Sequence, residues 1–196
     1  MIVSNKILKN NLTKYSNKNC KISRDIKSGK LIKIINGLYE TDKNTPGYYL
    51  ATSIYGPSYL SFDFALYYYG LIPEKVLVYT NATFDKKKKK EYNTPFGTFI
   101  YRDIPKNVYF MGIKLIEENG YSYQIATPEK ALCDKLYTLS PVKNIEEIKN
   151  LLINDLRIDV VELKKLDLRD IEELSKVYHS SNVRFLFKYL RRKKYE

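Results

Sequence analysis

"NCKISRDIKSGKLIKIINGLYE", residues 19–40, is the stretch on which the fold turns. In its first half Ile22 and Ile26 lie one turn apart, and Gly29 is placed to end a helix. Its second half puts β-branched residues on both sides of Asn36-Gly37, a hairpin signal because a type I′ turn needs two positive φ angles. Lys21, Arg24 and Lys27 fall away from the Ile22/Ile26 face, and Lys18 stands at the helix start. Upstream, "SNKILKNNLTKY" (4–15) offers Ser4 as an N-cap, with Ile7, Leu8 and Leu12 at helical spacing. Helix, basic helix and hairpin in this order predict a reduced winged helix-turn-helix over residues 1–46. It is reduced because only about thirty residues precede the wing, where three helices are usual.

The charge distribution supports this division. The net charge is +12. Residues 1–46 carry +7, residues 184–196 carry +5, and the span between them nets zero. Clustered basicity is the electrostatic footprint of a polyanion binder. A helix in a major groove would use Lys18, Lys21, Arg24 and Lys27, with Lys33 and Asn36 on the wing reaching backbone or minor groove. A merely solvated basic face is the competing reading, and the hairpin behind the helix favours DNA. Lys86–Lys90 reads as a flexible, solvated loop tip that adds salt-dependent affinity for phosphate. Arg191 and Arg192, near the end of the chain, have the same two readings.

"TDKNTPG" (41–47) is polar, contains Pro and Gly, and is the expected linker. The second domain, 47–196, divides into a mixed α/β part (47–140) and a helical tail (141–196). "KVLVYTNA" (75–82) reads as a strand. Hairpins are expected at "TPFG" (94–97) and at Asn119-Gly120. "TPEKALCDKLYTL" (127–139) is a helix with Thr127 as N-cap, Pro128 at N1 and Glu129 in its first turn. In the tail, Asp159 and Asp167 are plausible caps; Ile148, Leu152 and Leu156 share a face, as do Val183, Leu186, Phe187 and Leu190. The fold class is therefore α+β, with hairpins followed by a helical tail.

"PSYLSFDFALYYYGLIP" (57–73) looks at first like an active site. Ser61 reads as an N-cap, Asp63 as a first-turn charge and Gly70 as a helix stop. Leu60, Phe64, Tyr68 and Leu71 form the expected buried stripe, which leaves Tyr67 and Tyr69 outward.

Catalytic chemistry finds little support. One histidine, His179, and two cysteines, Cys20 and Cys133, give neither zinc spacing nor a nucleophile system, and no phosphate-binding glycine loop is present. Glu129-Lys130 has the look of half a nuclease motif, but capping explains its position. A metal-dependent nuclease would need Asp63, Glu91 and Asp103 to converge, and their spacing is not diagnostic. No cofactor, metal or catalytic residue is assigned. No apolar run suits a bilayer, the opening residues do not suit a secretory signal, and the cysteine usage fits a reducing cytoplasm.

"KLIKIINGLYE", "PSYLSFDFALYYYGLIP", "NTPFGTFIYRDI" and "IATPEKALCDKLY" follow one another in the order found in AbiEi-family antitoxins. These are regulators of type IV toxin–antitoxin and abortive-infection (phage defence) systems, and the chain resembles them best over residues 20–140. The resemblance implies a transcription repressor whose N-terminal winged helix binds inverted repeats upstream of its own operon. It implies a C-terminal domain that counteracts a nucleotidyltransferase-like toxin without requiring a tight complex. By position, Lys21, Arg24, Lys27, Lys33 and Asn36 match the basic helix and wing, and no catalytic residue can be carried over. Tyr67 and Tyr69 are the expected antitoxin surface. An antitoxin or interaction domain with a decayed DNA-binding part stands as the alternative.

Overall fold

The computed structural model describes residues 1–195. Its first layer runs β1 (Ile2–Ser4), α1 (Asn5–Asn11), α2 (Lys18–Lys27), β2 (Ile32–Ile35) and β3 (Leu38–Glu40). The three strands form an antiparallel sheet in the order β1-β3-β2. The Ser4 hydroxyl caps α1 by accepting from the Ile7 amide at 3.3 Å, as its position predicts. Strand β1 is too short to announce itself in the sequence; it exists because β3 offers it a partner. At the hairpin only Gly37 has a positive φ (83°), so the turn is not the expected type I′. A register shift between Lys33 and Ile35 takes up the difference.

This layer has two apolar faces. On one side Ile22, Leu31 and Tyr39 are buried, with Leu8, Leu12 and Ile26 around them. On the other, Ile34 is buried in the main core, and Ile2, Ile32, Ile35 and Leu38 lie against it. The sheet is therefore anchored to the rest of the molecule while α1 and α2 cover it from outside. The 41–47 segment is equally tied down: Thr45 bonds to the Tyr121 hydroxyl at 3.1 Å, and a Cβ on Gly47 would collide with the Tyr79 ring and the Phe96 carbonyl.

Beyond a single 3-10 turn (Gly47–Leu50) come α3 (Ala51–Ile54), β4 (Ser58–Leu60), α4 (Phe62–Tyr68), β5 (Val78–Thr83), β6 (Lys90–Thr94) and β7 (Gly97–Asp103). Strands β8 (Ile113–Glu118) and β9 (Tyr121–Ala126) precede α5 (Pro128–Tyr137). The six strands β4–β9 make one mixed sheet in the order β6-β7-β5-β4-β9-β8, parallel at β5/β7 and β4/β9. Asn119 (φ 51°) and Gly120 (φ 77°) both take the left-handed conformation, so the β8–β9 hairpin does have the turn its sequence predicts.

The tail is helical: α6 (Ile145–Asn150), continued by a π-helical turn (Leu151–Asp155), then α7 (Val160–Lys165), α8 (Leu168–Val177) and α9 (Ser181–Tyr195). Asp159 caps α7 and Asp167 caps α8 through their own first-turn amides. Ile148, Leu152, Val183 and Leu186 are fully buried, as the spacing requires. Much of the tyrosine content also lies inside. Tyr59, Tyr101 and Tyr123 are almost wholly buried, and the Tyr101 hydroxyl donates to the Ala51 carbonyl at 2.7 Å. No helix among the described residues is long and apolar enough to cross a membrane.

Candidate functional site

Helix α2 is held by Asn17, whose side chain accepts from the Cys20 amide at 3.0 Å, and by Ile22 in the small core. Lys21, Arg24 and Lys27 recur every third residue, each turned about 60° from the last, on the side of the helix away from Ile22, whereas Lys18, one turn before Ile22, lies on the same side as it. Arg24 and Lys27 are exposed and form no ion pair among the described residues, and their place in the last turn suits the negative end of the helix dipole. Lys21 is partly taken up: it pairs with Asp25, and its ammonium lies 5.7 Å from the Tyr15 ring centre. Lys18 is half-buried. On the hairpin Lys33 and Asn36 are exposed. The Gly37 carbonyl accepts from the Asn5 amide at 2.8 Å, which joins the hairpin tip to α1. Four of the six expected DNA contacts therefore stand free on one small, internally braced layer.

The Lys86–Lys90 run differs from the loose tip its sequence suggests. Asp103 accepts hydrogen bonds from the Lys87 amide and the Thr83 hydroxyl, which fixes the segment to the end of β7. Asp85 pairs with Lys106 at 2.6 Å, and the Lys86 ammonium lies 5.1 Å from the centre of the Tyr55 ring. Lys87, Lys88 and Lys89 remain exposed, whereas Lys90 is half-buried at the start of β6. Arg191 and Arg192 are exposed on α9, with the Arg191 guanidinium 5.6 Å from the Phe187 ring centre.

The 57–73 stretch is only partly the helix its spacing predicts. Leu60 belongs to β4, and Tyr68, expected in the core, is 41% exposed. Helix α4 is short and closes on Gly70 (φ 73°): the Leu71 amide reaches the Leu66 carbonyl and the Gly70 amide reaches Tyr67. The Tyr68 ring still lies 6.4 Å from that of Phe64, but at the last residue of the helix it reaches the surface. Tyr67 is exposed, but Tyr69 is half-buried; burial, with Tyr68 and Glu129 nearby, pushes its phenol up to about 12. Phe62, fully inside, takes φ 54°, an unusual value for a bulky residue.

The three carboxylates of the nuclease reading do not converge. Asp63 is paired with Lys135 at 2.7 Å, on the wall of a cleft of about 420 Å³ that Ile100 and Arg102 also line. Asp103 points to the opposite face of β7 from Ile100 and Arg102, because strand residues alternate. Glu91 is exposed on β6. No group of three or more His, Cys, Asp or Glu among the described residues could hold a metal ion. His179 is exposed.

Sequence reasoning missed a different constellation. Lys130 and Asp134, one turn apart on α5, are both 0% exposed. The Lys130 ammonium donates to the Val108 carbonyl (2.8 Å) and the Tyr178 hydroxyl (2.6 Å), and lies 3.3 Å from Asp134. Asp134 in turn accepts from Ser61 (2.6 Å), Tyr59 (3.0 Å) and Tyr178. All three ammonium protons have partners, as burial demands. Ser61 therefore stands at the N-cap of α4 by position, yet makes no cap bond; its hydroxyl serves Asp134 instead. Burial lowers the Lys130 ammonium against the opposing attraction of Asp134, and burial raises the Tyr59 and Tyr178 phenols well above 10.0. With every member closed to solvent, the cluster can lock α5, β4 and the end of α8 together but cannot meet a substrate. Its signal in the sequence is "KALCD": two opposite charges four apart, separated only by apolar residues.

The chain matches no protein-family model and no curated protein.

Proposed function

We propose that this protein is an AbiEi-like antitoxin and autorepressor. In this reading it acts in the cytoplasm, binds operator DNA carrying inverted repeats through α2 and the β2–β3 wing, and counteracts a nucleotidyltransferase-like toxin without a tight complex. The observation that carries the DNA-binding half is the exposed surface of three cations, Arg24, Lys27 and Lys33, with the Asn36 amide beside them on the hairpin. It stands on a β1-α1-α2-β2-β3 layer whose hairpin follows the basic helix directly. The β1-β3-β2 strand order supports a winged arrangement, with α2 in the place of a recognition helix. The antitoxin half rests on the resemblance of the four sequence stretches. Two of them, 57–73 and 125–137, meet in the Lys130–Asp134 cluster, so their joint occurrence has a physical cause.

The test uses a reporter driven by the DNA upstream of the protein's own gene, together with growth of cells expressing the adjacent toxin. Wild type is expected to repress the reporter and rescue growth. Arg24→Ala combined with Lys33→Ala is expected to lose repression and keep rescue. Repression untouched by the double substitution would overturn the assigned interface, and loss of rescue alone would overturn the separation of roles.

A further inference from the structure

Phe110 is 75% exposed, an unusual position for a large aromatic ring. It is not a loose side chain. Its ring centre lies 5.4 Å from that of Phe84 and 5.0 Å from that of Tyr109, which is buried. Two residues after Phe84, Lys86 lies over the Tyr55 ring, and Tyr55 touches Tyr92 at 6.0 Å between centres. The lysine segment therefore starts between two aromatic pairs. Asp103 and the Asp85–Lys106 bridge hold that segment, so the cations are presented from a fixed loop. An exposed ring beside a loop of cations held at its backbone is the kind of surface that single-stranded nucleic acid uses: bases stack on the ring and phosphates meet the lysines. A duplex would offer the same phosphates but keep its base faces covered.

We propose that the Phe84–Phe110 platform and the Lys86–Lys89 loop form a second nucleic-acid site, specific for single strands and separate from α2. Phe110 supplies the stacking surface, and Lys86, Lys87, Lys88 and Lys89 supply the counter-charge. The site does not depend on operator binding, because it shares no residue with the α2 surface.

Fluorescence anisotropy of the full chain with labelled single strands of about a dozen nucleotides tests this, since one domain-sized site covers that length or less. DNA and RNA strands are run beside a duplex of equal length, the duplex comparison being made with the Arg24→Ala, Lys27→Ala protein so that the α2 surface does not contribute. The expected result is tighter binding of either single strand than of the duplex, and a loss on Phe110→Ala of about fivefold to a hundredfold, the range for one stacked base. Changing Lys86, Lys87, Lys88 and Lys89 to Gln should flatten the salt dependence. Arg24→Ala with Lys27→Ala should leave single-strand binding unchanged. Melting of Phe110→Ala should match wild type, since the ring is outside the core. Equal affinity for duplex and single strand, or no effect of Phe110→Ala, overturns the proposal. So does binding of vesicles rich in anionic lipid, lost in Phe110→Ala, with no binding of the oligonucleotides. None of these results bears on repression through α2.

Discussion

The outer layer of α1 and α2 and the inner cluster around α5 treat positive charge in opposite ways. On α2 the cations lie outside a core of only three buried residues, Ile22, Leu31 and Tyr39, and three of the four, Lys18, Arg24 and Lys27, have no ionic partner among the described residues. On α5 a single cation, Lys130, is sealed inside with all three donors used. An unpaired surface charge contributes little to stability and is available to a polyanion; a buried one contributes nothing to binding and fixes its neighbours in place. The difference separates a surface left open to contact from an interior closed to it.

The largest expected effect lies in the interior. Asp134→Asn leaves Lys130 buried without its counter-charge and should cost about 3–5 kcal/mol in urea denaturation, the usual range for a broken buried pair. Exchanging both residues for apolar ones of similar volume should recover most of that loss. A cost below about 1 kcal/mol for Asp134→Asn would mean that the cluster does not hold the three elements together.

Ile22→Ala should cost about 2–5 kcal/mol within the small core, which has few other buried side chains to compensate. Hydrogen exchange locates the damage. Amides of α1 and α2 should exchange faster, while β2 and β3 stay protected because Ile34 is buried in the main core. Uniform acceleration through α5 and β9 would erase the contrast between the two regions.

Alkali should act mainly on the interior. Tyr59 and Tyr178 are held above 10.0 and Cys133 above 9.0, chiefly by burial. A group whose folded pKa is raised stabilises the fold below its unfolded value, and that contribution is lost as the pH climbs toward the folded one. Lys130, held below 10.5, works in the opposite sense, but it is one group against these and further buried tyrosines such as Tyr101 and Tyr123, whose phenols burial also raises. Denaturant midpoints should therefore fall once the pH passes about 9–10, and the Tyr178→Phe variant should fall less. Midpoints that stay level to higher pH would contradict the sealed cluster.

Legibility in the sequence follows the range of the interactions. Ser4, Thr127, Asp159 and Asp167 were readable as caps because each side chain bonds to its own helix a few residues on. Gly70 was readable because only a residue free of a Cβ penalty closes a helix so easily with φ 73°. Ser61 misled, since its partner Asp134 is 73 residues away and displaces the local cap. Tyr68 misled because it shares the face of Phe64 but is the last residue of α4, where that face runs out to the surface. Strand β1 and the anchoring of Thr45 and Gly47 depend on contacts with distant strands, and no local pattern announces them. The basic row on α2 was legible, but the capture of Lys21 by Asp25 and Tyr15 emerges only from side-chain geometry.

The most direct test of the central claim is the salt dependence of binding to the protein's own upstream DNA, measured for wild type and for Arg24→Ala with Lys27→Ala. If the free cations of α2 contact phosphate, log K falls linearly with log salt for wild type. The double variant then binds more weakly, with a slope shallower by about two, and melts at the same temperature. Equal slopes and equal affinities for the two proteins would contradict the account.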